Sequence, residues 1–156
     1  MSSSRAWLAG PDDAEAVAGL LVQFRNHMGR DWPSDNAFLA NVERLMEDPS
    51  TEYLLAAAGD DSPPAGVCQL RYRFGIWLAG VDCWLEDLYV SESARGAGLG
   101  AALVELAIAR ARARDAKRIE LDVSDANAPA LALYRRFGFT TGKDPGTTDV
   151  FMGRKL

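Results

Sequence analysis

Between Val90 and the apolar helix pattern that starts at Leu99 stands the run Arg95-Gly96-Ala97-Gly98-Leu99-Gly100, which limits the possible folds more than any other stretch of the chain. Upstream, Val81 to Val90 reads as a strand ending in Leu85-Glu86-Asp87-Leu88-Tyr89-Val90. Downstream, Leu99, Leu103 and Leu106, with Ala102, Ala109 and Ala113, form an apolar helical stripe that runs to about Arg114. A glycine-rich turn in that place gathers backbone N–H groups at the positive end of a helix dipole. It suits a phosphate, with Arg95 as an added cation, and it equally suits a tight turn followed by ordinary helix packing.

The same residues fit a dinucleotide fingerprint, Gly96-x-Gly98-x-x-Ala101, with Glu120 about 20 residues beyond the turn. Three features oppose it. Glu86 and Asp87 stand where a buried parallel strand is apolar, five residues separate Val90 from Gly96, and too little chain follows for a second nucleotide-binding half. A Walker phosphate loop is excluded because no Gly-Lys-Ser/Thr follows the turn.

The remaining chain alternates between helical and strand patterns. Pro11-Asp12-Asp13 reads as a helix start, with Val17, Leu20, Leu21 and Phe24 at helical spacing up to about Met28. Ser34 caps a second helix carrying Phe38, Val42, Leu45 and Met46, which ends before Pro49. Tyr53 to Ala56 and Val67 to Phe74 read as strands; in the second, Cys68, Leu70, Tyr72 and Phe74 alternate with Gln69, Arg71 and Arg73. Gly75 to Gly80 connects that strand to the next as a hairpin. Arg118 to Val123 is a further strand, Pro129 to Phe137 a helix closed by Gly138, and Phe139 to Thr141 and Val150 to Lys155 two final strands. Residues 1–156 thus form one domain of the mixed α/β (α+β) class.

The net charge of -5 argues against a nucleic-acid surface, which needs a basic face. No apolar stretch reaches the roughly 20 residues of a membrane span, and no signal-like run follows Met1 to Arg5, so a cytoplasmic protein is expected. One histidine, His27, and two cysteines, Cys68 and Cys83, are too few for the usual metal sites, and both cysteines lie in strand-like segments as buried thiols. His27 reads as incidental, and with no Gly-x-Ser-x-Gly elbow a serine hydrolase is not supported.

Three motifs in order, Leu85 to Val90, Arg95 to Gly100, and Asn127-Ala-Pro-Ala-Leu-Ala-Leu-Tyr134 before Phe137-Gly-Phe139, resemble the signature of GNAT acetyltransferases. Within that family, Leu-Glu-Asp-x-x-Val, Arg-Gly-x-Gly-x-Gly and Asn-x-Pro look most like diamine or polyamine enzymes. The resemblance implies a GNAT fold, a mixed and mostly antiparallel sheet flanked by about four helices, with acetyl-CoA as co-substrate and a homodimeric assembly. It implies that the backbone of Leu88, Tyr89 and Val90 pairs with the pantetheine arm, that Arg95, Gly96, Ala97, Gly98, Leu99, Gly100 and Ala101 hold the pyrophosphate, and that Asn127 and Ala130 contact the cofactor arm. A strand edge offering unpaired amides suits such a pairing. Asn127 is equally a plain helix cap.

Acetyl transfer needs a neutral amine, whereas an alkylammonium of pKa near ~10.4 is only about one part in ~10³ neutral at pH 7. The resemblance assigns Glu86 as the base, acting through water, and Tyr134 as the acid that protonates the departing thiolate. Alternation places Glu86 and Asp87 on opposite faces, leaving Asp87 as a substrate-binding or alternate carboxylate; a salt bridge to Arg71 or Arg73 would be a purely structural role for either. Tyr134 could likewise be core. The acceptor is expected to be the primary amine of a small, cationic, polyamine-like molecule, met by Asp31, Trp32, Trp77 and Asp87, with Asp144 and Asp149 nearby. The apolar Gly75 to Gly80 stretch departs from an acidic polyamine pocket. An aminoglycoside, an amino-acid derivative and a protein amino terminus stay open as acceptors, and a non-catalytic acyl-CoA-binding module as an alternative function.

Overall fold

The computed structural model describes residues 3–141, 146 and 150–156. In chain order it contains β1 (Arg5–Leu8), α1 (Ala14–His27), α2 (Asp35–Met46), β2 (Thr51–Ala57), β3 (Gly66–Gly75), β4 (Gly80–Val90), α3 (Leu99–Ala113), β5 (Ala116–Glu120) and α4 (Ala128–Arg136). The five strands form one sheet in sequence order, antiparallel from β1 to β4 and parallel between β4 and β5. This bears out the mixed, mostly antiparallel sheet with four helices. It also counts against the dinucleotide reading, which needs a mostly parallel sheet, whereas here only the β4–β5 pair is parallel.

Each helix start follows its local chemistry. Ser34 Oγ accepts a hydrogen bond from the Ala37 N–H at 3.2 Å, and Asn127 Oδ1 accepts one from the Ala130 N–H at 3.3 Å, so each caps its helix. Helix α1 is preceded by a 3-10 turn at Pro11–Asp13, where Asp13 accepts from the Gly10 N–H at 2.9 Å.

Period-two alternation divides the core into two layers. Cys68, Leu70, Tyr72, Cys83 and Leu85 face α3, meeting Leu99, Leu103 and Ala107. On the opposite face Tyr53, Leu55, Val67 and Tyr89 pack against Val17, Leu20 and Leu21 of α1 and Val42 of α2. No helix of the described residues is long and apolar enough to cross a membrane.

Two expectations fail. Phe139 to Thr141 and Val150 to Lys155 form no strands, and Val150, Phe151 and Met152 stay exposed. A strand exists only through a partner ladder, and apolar spacing names the candidate without supplying the partner. The expected β5 also ends early, at Glu120 instead of Val123, because its ladder with β4 stops at Trp84 and Glu120.

Candidate active site

Strand β4 changes course at its charged centre. Gln69 pairs with Glu86 and Val67 pairs with Tyr89, so β4 uses three steps where β3 uses two. The extra residue forms a β-bulge, and Asp87 absorbs it with a left-handed backbone, φ 56°. A non-glycine residue there is uncommon, although aspartate tolerates it better than most. Beyond Trp84, the β4 edge that faces β5 has no partner strand among the described residues. Its N–H and C=O groups are therefore open to an extended ligand.

A hollow of about 1250 Å³ lies along this edge, lined by Glu86 to Val90, by the turn from Arg95 into α3, and by Asn127, Ala130 and Tyr134. Gly98 is the N-cap of α3 and no side chain caps that helix, so its first-turn N–H groups remain for an anion. Gly96 (φ 85°) and Gly98 (φ 81°) are left-handed, which is why glycine stands there. A Cβ on Gly96 would meet nothing within 4 Å, so backbone conformation and not crowding fixes that residue. Gly100 has another reason: a Cβ would come within 3.2 Å of Leu133 Cδ2, so α3 packs closely on α4 there. Arg95 folds back on its own turn, with Nε donating to the Val90 carbonyl oxygen at 3.2 Å. These residues fit the phosphates and amide arm of a coenzyme A.

The hollow also holds the titrating groups. Glu86, half-buried, accepts from Gln69 Nε2 at 3.3 Å. Loss of water, then Asp87, push its carboxyl above the usual range; Asp122 adds to this and Arg71 opposes it. Desolvation and then Asp122 raise Asp87 as well. Tyr134 is 8% exposed and stacks edge-on against Phe139 at 5.8 Å. Burial, helped by Cys68, pushes its phenol up to about 12, so it stays protonated throughout the physiological range. Its hydroxyl makes no hydrogen bond among the described residues, and no described side-chain oxygen or nitrogen is both buried and unpartnered. The hydroxyl is therefore open to the hollow.

The family model described as acetyltransferase (GNAT) family matches residues 14–139. The chain belongs to this family. Acetyl-CoA is the co-substrate of GNAT enzymes. An L-methionine sulfoximine/L-methionine sulfone acetyltransferase of Pseudomonas aeruginosa is 38% identical over 148 residues, covering 90% of this chain and 84% of that protein. A mycothiol acetyltransferase of Beutenbergia cavernae is 38% identical over 139 residues, covering 84% of this chain but 43% of that protein. The chain spans 66%, 43% and 42% of the length of three of the curated relatives it matches. AAC(6')-Iy, solved with the bisubstrate analogue CoA-S-monomethyl-acetylneamine, shares the fold at a TM-score of 0.78 and 20% identity, over 99% of each chain. None of these relatives is named for a polyamine.

Within this GNAT frame most of the expected residues converge. Glu86, Asp87, Leu88, Tyr89, Val90, Arg95, Gly96, Gly98, Leu99, Gly100, Ala101, Asn127, Ala130 and Tyr134 line one hollow; Ala97 does not. The expectation that Glu86 and Asp87 diverge is corrected, because the bulge breaks the alternation it assumed. Asp31, Trp32 and Trp77 do not line the hollow. Trp77 is 99% exposed at the β3–β4 turn and Trp32 is exposed after α1. Asp144 and Asp149 lie outside the described residues. Sequence reasoning missed Phe24, His27, Trp84 and Asp122, all of which contribute to the walls. Trp84 shares the face of Glu86 by simple alternation, and Phe24, His27 and Met28 lie three and four residues apart at the end of α1. Cys68 and Cys83 are buried and free, and burial pushes both thiols up, Cys83 to about 12, which suits neither for thioester chemistry.

Proposed function

We propose that this chain moves an acetyl group from acetyl-CoA directly to the primary amine of a small acceptor, within a ternary complex. The observation that carries this reading is the convergence of Glu86, Tyr134, the open β4 edge and the uncapped start of α3 on one hollow. Acetyl-CoA supplies a thioester whose acetyl group an amine nitrogen can take. Glu86, turned by Gln69 and raised by its surroundings, takes the ammonium proton through water. The open N–H groups between Leu88 and Val90 are placed to hydrogen-bond the acetyl oxygen. As the C–N bond forms and the C–S bond breaks, Tyr134 donates its proton to the thiolate sulfur.

The three carboxylates of Glu86, Asp87 and Asp122 favour a cationic acceptor, consistent with the polyamine-like reading. A second reading, an amino-acid derivative, is favoured by the Pseudomonas aeruginosa relative that matches over most of both chains. A homodimer and a cytoplasmic location are proposals that rest on the resemblance and the sequence; light scattering tests the first. The test of the activity is thiol release from acetyl-CoA across a panel of amines, with Glu86→Gln and Tyr134→Phe as controls. Release that depends on both residues supports the reading. Binding of coenzyme A with no release from any amine would instead favour a non-catalytic acyl-CoA-binding module.

A further inference from the structure

Beside the main hollow lies a second one of about 420 Å³, lined by Arg71, Tyr72, Arg73, Trp84 and Glu86. Trp84 and Glu86 line both, so the two adjoin at the base. The ladder explains why: Gln69 pairs with Glu86, Arg71 with Trp84 and Arg73 with Asp82, which sets these side chains in a row on one face. Arg71 stands two residues beyond Gln69, roughly 7 Å along the strand.

Neither guanidinium is well satisfied by the protein. The nearest carboxylate to Arg71 is Asp48, at 3.9 Å through a single nitrogen, with both side chains well exposed. Arg73 reaches only 3.9 Å from Asp82, with 77% of its side chain exposed, and Asp82 already accepts two hydrogen bonds from Arg118, at 3.0 and 3.4 Å. Each guanidinium carries five N–H donors in a planar fork matched to a carboxylate. On the main-hollow side of Glu86, by contrast, the titrating neighbours are Asp87 and Asp122. The acceptor region is thus bipolar, acidic where an ammonium must lose its proton and basic one strand-step away.

We infer that the acceptor is an amino acid or a close derivative, whose carboxylate is held by Arg71 and Arg73 while its amine faces Glu86. This deepens the acetyl-transfer reading and rests on it. A wholly cationic polyamine would place positive charge against both arginines.

The experiment is a kinetic comparison at pH 8, using free amino acids, their carboxamides, diamines and an aminoglycoside. The expected result is a free amino acid favoured over its own carboxamide by about 10- to 100-fold in kcat/KM, the effect of losing charge-assisted hydrogen bonds. Arg71→Gln and Arg73→Gln should raise KM for the amino acid about tenfold with a smaller change in kcat. The preference should fall towards unity in the double variant. Arg73→Lys should recover part of it, because a point charge replaces a fork. Retention of the acetyl-CoA-induced rise in melting temperature shows that each variant is folded. Diamines or the aminoglycoside acetylated in preference to every amino acid would overturn this inference and leave the acetyl-transfer reading standing. Coenzyme A binding with no acceptor turned over would overturn both.

Discussion

Gln69 donates a 3.3 Å hydrogen bond to Glu86 from the position directly opposite it in the β3–β4 ladder. Gln69 is 4% exposed, so its amide is held by the surrounding sheet and in turn fixes one carboxylate oxygen. The other oxygen is left for the hollow. This pairing sits one residue before the bulge at Asp87, where the β4 edge has already parted from β5.

Replacing Glu86 with Gln keeps the hydrogen-bonding shape of the side chain and removes the base. We expect kcat/KM for the amine to fall by about 10²- to 10⁴-fold, with the melting temperature unchanged or raised. Initial rates against pH check this, because the acid-side limb set by Glu86 should give way in Glu86→Gln to a rate that rises with the neutral fraction of the amine itself.

Tyr134→Phe removes only a hydroxyl that no described residue engages, and the edge-on contact with Phe139 is retained. Stability should therefore be nearly unaltered while kcat falls about 10²-fold or more, with little change in KM for acetyl-CoA. Equal loss of acetyl-CoA affinity would instead assign Tyr134 to cofactor binding.

The acid limb of the rate profile should respond to Asp122. Its charge raises Glu86, so Asp122→Asn lets Glu86 ionise at lower pH and moves the limb downward. Arg71 acts with opposite sign, and Arg71→Gln should move the limb upward. Stability follows the same proton count. Because Glu86 and Asp87 are raised on folding, the folded state holds protons longer than the unfolded chain, whose carboxyls titrate near about 4. Their contribution to stability therefore declines as pH rises from that value through the raised folded values. Asp122→Asn should lessen the decline and raise the melting temperature at pH 7, as calorimetry over a pH series would show.

Gly98→Ala places a Cβ on a left-handed residue, a strain of about 1–2 kcal/mol. At about 2–4 °C per kcal/mol for a chain of this size, the melting temperature should drop by a few degrees, and stabilisation by coenzyme A should shrink. Gly100→Ala should behave differently. Its obstacle is Leu133 Cδ2 at 3.2 Å, so adding Leu133→Ala should relieve the new contact; thermal melts of the single and double variants separate the cases.

Much of this arrangement is legible in the sequence because it rests on local chemistry. Ser34 and Asn127 cap their helices through contacts three residues away, and the glycines of the turn occupy backbone conformations that other residues avoid. What alternation could not reveal is the bulge, since counting by twos assumes a regular ladder and Asp87 carries no glycine to betray its left-handed backbone. Asp122 reaches the hollow from beyond the end of β5, a matter of tertiary placement. Trp77 misled because a turn rich in apolar residues reads as a pocket wall, yet it projects from the end of the hairpin.

Whether the β4 edge and the start of α3 form an acetyl-CoA site is decided by the melting temperature measured with acetyl-CoA, coenzyme A, NAD or NADP. A ligand held at about 100 times its Kd stabilises the fold by ~2.7 kcal/mol, which is several degrees for a chain of this length. That rise is expected with acetyl-CoA and coenzyme A, reduced in Gly98→Ala, and none with NAD or NADP. A rise with NAD or NADP alone, or none with acetyl-CoA, would contradict an acetyl-CoA site there.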